Sequence, residues 1–240
     1  MISHMEFLAT LGDEFNEELS NLSGDGSRVV CLPEDGHLNG AGWFLTYADV
    51  ESGEWNLAHP FGTPSSYASL LQQFPRDVDF HLLVPETDFE TFRTFCSTEP
   101  VEILIWHRDE GARCNESNEH IMSGEIYNTP DGYTWRFLKS ESGRMHGFRG
   151  YLLHDDSIAA LVRVIHETSD TIEIYVETLP NLRNQGLATA LVVEMRERAR
   201  AAARRLIYVV SATNAASLRV AEKAGLTPFA RMLRILFRSI

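Results

Sequence analysis

Between residues 147 and 202 the spacing of apolar side chains changes once, from a period of two to a period of 3.6, and the change falls at Gly186. Upstream, residues 147–153 and 158–166 read as strands joined by the tight turn His154-Asp155-Asp156-Ser157. Thr168-Ser169-Asp170 then turns into a third strand at 171–177. The result is a three-stranded antiparallel meander. In its third strand Ile172, Ile174 and Val176 share one face and Glu173, Tyr175 and Glu177 the other, so one face is expected in the core and the other open to chemistry. Downstream, Pro180 and a loop lead into a helix starting near Gly186. Its apolar positions are Ala188, Leu191, Val192, Met195, Ala199 and Ala202, and Glu194, Glu197, Arg198 and Arg200 fill the opposite side.

The run 206–210 is apolar throughout, which predicts a strand buried on both faces and a parallel crossover from the strand before the helix. Asn214 is placed to cap a second helix that Gly225 ends, and 231–238 alternates as a last strand. The first half reads as a smaller α/β unit, with strands at 28–32, 43–47, 78–84 and 101–106. Helices are expected at 65–74 and 86–96, the latter with Phe89, Phe92 and Phe95 on one face. Periodicity disappears from 108 to 125, where Asp109, Glu110, Gly111 and Asn115 to Glu119 collect. The expected domains are therefore 6–118 and 119–240.

Arg183-Asn184-Gln185-Gly186-Leu187-Ala188-Thr189 stands at the joint between strand and helix. A helix N-terminus leaves backbone N–H groups unpaired and carries about half a positive charge. A diphosphate placed there meets both. Gly186 removes a Cβ where a phosphate would approach the backbone, Ala188 keeps the next turn small, and Arg183 adds a cation at the mouth.

In this context, Arg183-x-x-Gly186-x-Ala188 resembles the signature of the GNAT N-acetyltransferases. The block from Asn214 through Ser217 and Ala221-Glu222-Lys223-Ala224-Gly225-Leu226 is similar to that family's Asn-x-x-Ser…Ala-Glu-Lys-x-Gly-Phe element. The resemblance covers about the last 120 residues. It implies a mixed α/β (α+β) GNAT acyl-CoA transferase fold with a mixed sheet, preceded by a domain that in one subgroup is a decayed copy of the fold. It further implies that Arg183, Asn184, Gln185, Gly186, Leu187, Ala188 and Thr189 bind the pyrophosphate of acetyl-CoA. The backbone at Val176 and Thr178 would then pair with the pantetheine arm, with Asn214 contacting that arm and Ser217 meeting a phosphate or capping its helix. Thr178 stands where the family usually has Val, which leaves backbone pairing unaffected.

Acetyl transfer to an amine needs a neutral amine, a polarised thioester carbonyl and a proton for the leaving thiolate. Glu173 is the nominated base, because some family members place a catalytic Glu on this strand. The alternative is that Glu173, Tyr175 and Glu177 are merely its solvated face. Many members carry a Tyr seven residues after the Asn, where this chain has Ala221. The acid is therefore open among water, Ser211, Ser217 and Tyr208, and Asn214 is a further catalytic candidate. His154 and His166, at strand ends, read as surface residues.

The expected activity is transfer of an acetyl group from acetyl-CoA to a primary amine of a small or amino-acid-like acceptor. A CoA-binding module without catalysis and a transferase of longer acyl chains are the alternatives. A net charge of −13 argues against nucleic acid and modestly favours a cationic acceptor. Three scattered cysteines, Cys31, Cys96 and Cys114, suggest reduced thiols, with neither a disulfide framework nor a metal site. With no run long and apolar enough to span a bilayer, the expectation is a cytoplasmic protein without membrane contact. The oligomeric state is open, a homodimer included.

Overall fold

The computed structural model describes residues 28–31, 43–48, 56–61, 79–94, 100–111, 129–138, 148–167 and 171–238. In chain order the strands are β1 (Arg28–Cys31), β2 (Trp43–Ala48), β3 (Asn56–Phe61), β4 (Asp79–Pro85), β5 (Pro100–Arg108), β6 (Thr134–Leu138), β7 (Arg149–His154), β8 (Ser157–Glu167), β9 (Thr171–Thr178), β10 (Arg205–Ser211) and β11 (Thr227–Arg238). The helices are α1 (Phe89–Arg93), α2 (Leu187–Ala201) and α3 (Ala215–Lys223). The chain divides into two compact units, one of residues 1–104 with 230–240 and one of 105–229. The expected helix at 65–74 and the expected boundary between 118 and 119 fall outside the described residues.

In the first unit the strand order is β1-β2-β3-β4-β11-β5. β3 departs from the sequence reading because Pro60 argues against a strand interior. It is tolerated because β3 pairs with β4 only through Asn56, Leu57 and Ala58, so no neighbour on that side requires an N–H from Pro60. The end of the chain belongs here too, with β11 running antiparallel to β4 from Met232↔Pro85 to Arg238↔Asp79. Leu82, Leu83, Val84, Phe89, Met232, Leu233 and Ile235 are buried around that pairing.

The second unit carries the expected meander and crossover, with the order β5-β10-β9-β8-β7-β6. β6, β7, β8 and β9 are successively antiparallel, while β9 and β10 are parallel, as a connection through α2 requires. Its core gathers Leu152, Val162, Ile172 and Ile174 from the sheet with Leu187, Leu191, Val192 and Met195 from α2, and Ala221 and Leu226 from the α3 region. Truncating a side chain as enclosed as Leu191 would cost about 2–5 kcal/mol.

The polar side assigned to α2 is only partly exposed, and two of its four charged residues are core residues. Glu194 and Arg198 are buried, with Arg198 Nε donating to Glu194 Oε1 at 2.7 Å and the guanidinium 4.2 Å above the Phe137 ring. Periodicity treats a charge as a solvent marker, but a paired guanidinium with an aromatic face beneath it is compatible with burial. Among the described residues no helix is long and apolar enough to cross a membrane.

Candidate functional site

The loop between β9 and α2 is shaped by backbone conformation. Leu179 N–H donates to Ala159 O at 3.0 Å, and a 3-10 turn over Pro180–Leu182 closes with Leu182 N–H on Leu179 O at 2.9 Å. Asn184 and Gly186 then take left-handed φ values of 65° and 83°, reversing the chain so that α2 starts pointing away from the end of β9. The first helical bond runs from Ala190 N–H to Gly186 O at 3.0 Å. The N–H groups of Leu187, Ala188 and Thr189 consequently have no helical acceptor, and no side chain caps this end.

That end is open. Arg183, Asn184, Gln185 and Gly186 are exposed, Ala188 and Thr189 are half-buried, and Leu187 is fixed in the core. A Cβ built on Gly186 would meet nothing within 4 Å, so the residue leaves free space in front of the helix as well as supplying the positive φ. Arg183 Nε donates to Thr178 O at 3.4 Å, and Tyr133 O–H donates to Gln185 Oε1 at 2.8 Å. The tyrosine tether joins the loop to the turn before β6. Sequence reading missed it, because nothing local to Tyr133 marks a partner 52 positions away.

A second feature lies beside the loop. β9 and β10 pair only at Thr171, Ile172 and Glu173 against Arg205, Leu206 and Ile207, and beyond that point the two strands part. Ile174 to Thr178 remain bonded to β8 on one edge, through the pairs Val164↔Ile174, Val162↔Val176 and Ala160↔Thr178. The other edge faces the opening with backbone groups that no described strand satisfies, an arrangement able to receive an amide-bearing chain as an added strand. Val176 is half-buried against the core, and the Thr178 hydroxyl oxygen is buried without a hydrogen-bond partner.

Glu173 sits where the strands begin to part. Open exposure was the expectation for its face, and the structure corrects this. Thr171, Ile172, Glu173 and Ile174 are all buried, and only Tyr175 and Glu177 reach solvent. The reason is that β9 is flanked on both edges over its first residues, with His166 and Ile207 as the Cα neighbours of Glu173. Burial alone pushes its carboxyl up to about 8. A carboxyl so displaced can take a proton near neutral pH.

Tyr208 is the first residue of β10 past the paired segment and is buried. Burial raises its phenol, a hydrogen bond with the Ser217 side chain opposes the rise, and Tyr175 adds to it. Ser217 thus uses its hydroxyl on Tyr208, while its N–H is capped by Asn214 Oδ1 at 3.1 Å. The Asn214 amide nitrogen is left over for other partners. Ser211 pairs with Thr213 at 3.0 Å, and the ring of His154 lies 5.2 Å from that of Tyr133 at the surface. Ala221 is fully buried, so the position where many relatives carry Tyr is here a core contact. Among the described residues no cluster of His, Cys, Asp and Glu could hold a metal ion.

Residues 80–229, more than half of the chain, match the GNAT acetyltransferase family. No curated protein matches the chain. A GCN5-related N-acetyltransferase-like protein from Streptococcus suis superposes with a TM-score of 0.61 at 13% identity, over 96% of this chain and 98% of its own. A GCN5-related N-acetyltransferase from Kribbella flavida superposes with a TM-score of 0.62 at 13% identity, over 93% of each chain. A tandem GNAT protein from the clavulanic acid biosynthesis pathway gives 0.55 at 9% identity, over 90% of this chain and 84% of its own. At these identities the likeness is one of fold.

Proposed function

The chain belongs to the GNAT acetyltransferase family, and we propose that it transfers an acetyl group directly from acetyl-CoA to a primary amine of a small-molecule or amino-acid-like acceptor. The observation that carries this reading is the bare N-terminus of α2, where unpaired N–H groups, a left-handed Gly186 and free space in front of it coincide. The residues present fit the cofactor. Arg183 to Thr189 would hold the pyrophosphate, by backbone N–H and the Arg183 guanidinium. Val176 and Thr178, at the open edge of β9, would pair with the pantetheine amides, and the Asn214 amide and the Ser217 region would meet the arm from α3.

Acetyl-CoA, when bound, supplies an acyl carbon activated as a thioester. The chain's own residues handle the protons. Glu173, with its carboxyl raised to about 8 by burial, accepts a proton from the incoming ammonium. Tyr208, raised by burial and bonded to Ser217, stays protonated and serves as the hydroxyl available at the β10 side of the opening.

A CoA-binding module without catalysis is the second reading, favoured by the burial of Ala221 at the family's usual Tyr position. Thiol release from acetyl-CoA across an amine panel tests both, with Arg183→Glu and Gly186→Trp as blanks. Release in the parent and none in the blanks supports transfer. Binding with no release for any amine supports the module, and undiminished turnover by both blanks removes this cofactor site. Competition between acetyl-CoA and longer acyl-CoAs decides the acyl length.

The preceding unit accords with a two-copy arrangement, as in the tandem GNAT neighbour, but the reading of catalysis does not depend on it.

A further inference from the structure

The face of the meander that carries Glu173 has a charge pattern opposite to the whole chain. Strand register puts Leu138, Arg149, Arg163 and Tyr175 in one row across β6, β7, β8 and β9, and Arg136, Tyr151, Leu161 and Glu177 in the next. Arg149 and Arg163 are direct cross-strand partners, with Cβ atoms about 5 Å apart by sheet geometry. Like charges so placed repel, and folding gains nothing from the pair. Arg136, Arg149 and Arg163 are all exposed, and no carboxylate among the described residues forms an ion pair with them.

Arg163 lies 4.8 Å above the ring of Tyr175, which holds its guanidinium over β9. Tyr175 in turn donates to Glu177 Oε2 at 3.4 Å. Tyr175 is two residues from Glu173 on the same side of the strand, a spacing of about 7 Å. Three guanidiniums therefore border the base on its own face, in a protein whose net charge is −13.

We propose that Arg149 and Arg163, with Arg136 at their flank, form the acceptor-binding surface and select an amine that also carries an anionic group, a carboxylate or a phosphate. A guanidinium pair matches either group with paired N–H donors. An anion between the two arginines relieves their repulsion, and an amine on the same small molecule then lies toward Glu173. That the reacting group is an amine rests on the transfer reading above; the recognition of the anion does not.

Matched ligand pairs test the assignment on the full-length protein: an α-amino acid against its carboxamide, and 2-aminoethyl phosphate against ethanolamine. Binding is followed by NMR titration, and turnover by thiol release with acetyl-CoA. The anionic member of at least one pair is expected to bind ten times or more tighter, and the two pairs tell carboxylate from phosphate. In Arg149→Gln/Arg163→Gln that preference should vanish through Kd or KM, with less than a twofold change for the neutral members. Its Tm should equal or exceed that of the parent, since a repulsion is removed, whereas a structural role would lower it. Equal binding of charged and neutral members throughout, or a preference that survives in the double variant, overturns the assignment. Discrimination in binding without thiol release from any ligand would leave the anion site standing and defeat the transfer reading. Transfer without discrimination does the reverse.

Discussion

Replacing Glu173 by glutamine should remove a pH dependence of stability that the parent carries. In the folded chain burial raises the carboxyl from its ordinary 4.5 to about 8, with no opposing partner among the described groups. The charged and polar neighbours in register are Tyr175 and Glu177 on its own strand and Arg163 on β8, and the β10 neighbour Ile207 is apolar. Because the folded value lies above the unfolded one, the stabilisation is complete below pH 4.5 and is lost progressively as pH rises to about 8. At 1.36 kcal/mol for each step of one on the pH scale, the loss approaches about 5 kcal/mol, an upper value because water entering at the parted strands softens it. Glutamine mimics the protonated acid and has no such slope. Urea unfolding of both proteins from pH 5 to 9 reads the difference between them, which cancels every other titrating group. The parent should lose ground to the variant steadily up to pH 8. Parallel curves across that range would refute the burial argument, and with it the basis for calling Glu173 a base tuned to neutral pH. Activity should run the opposite way, climbing towards pH 8 in the parent as the carboxylate forms and losing that limb in the variant.

Gly186→Ala adds a methyl that meets nothing, so its effect is backbone strain at φ 83° alone, roughly 1–2 kcal/mol. Relief of that strain by loop movement should weaken acyl-CoA binding about 5- to 30-fold in a calorimetric titration while the core, measured by hydrogen exchange in α2 beyond its first turn, stays intact. Gly111→Ala would set its Cβ on the guanidinium of Arg200, which is locked to the buried Asp109 by bonds of 2.6 and 2.7 Å. Burial works to raise the Asp109 carboxyl, but Arg200 and the Gly111 N–H hold it below its ordinary value. The pair thus contributes stability above that ordinary value and loses it as pH falls. Displacing Arg200 should cost about 3 kcal/mol by urea unfolding and move acid unfolding to higher pH.

The cofactor loop was legible because every signal it needs is local. Arg183, Gly186 and Ala188 lie within six residues, and the change of period at Gly186 marks the helix start in the same window that names the phosphate site. Asn214 is legible for the same reason, since a cap acts on the residue three positions ahead, and its bond to Ser217 N–H is of that kind. Glu194 and Arg198 were assigned to the wrong side of α2 because their burial is decided by Phe137 and Phe148, which come from β6 and the start of β7.

The same distinction explains the base and the acceptor face. Alternation along β9 correctly separates Tyr175 and Glu177 from Ile174 and Val176, but it cannot show that β10 lies alongside for three residues and then departs. Glu173 falls on the covered side of that transition and Tyr175 on the open side, so two residues with identical periodicity acquire opposite environments. The opposed arginines are harder still to see. Arg149 and Arg163 become partners only through a register that contains a shift at Leu152/Leu153, and a slip of one residue would turn one of them into the core. A pairing that folding must tolerate at an electrostatic cost is information held in the sheet and absent from either strand, and this is why the acceptor's charge is better argued from register than from a net charge of −13.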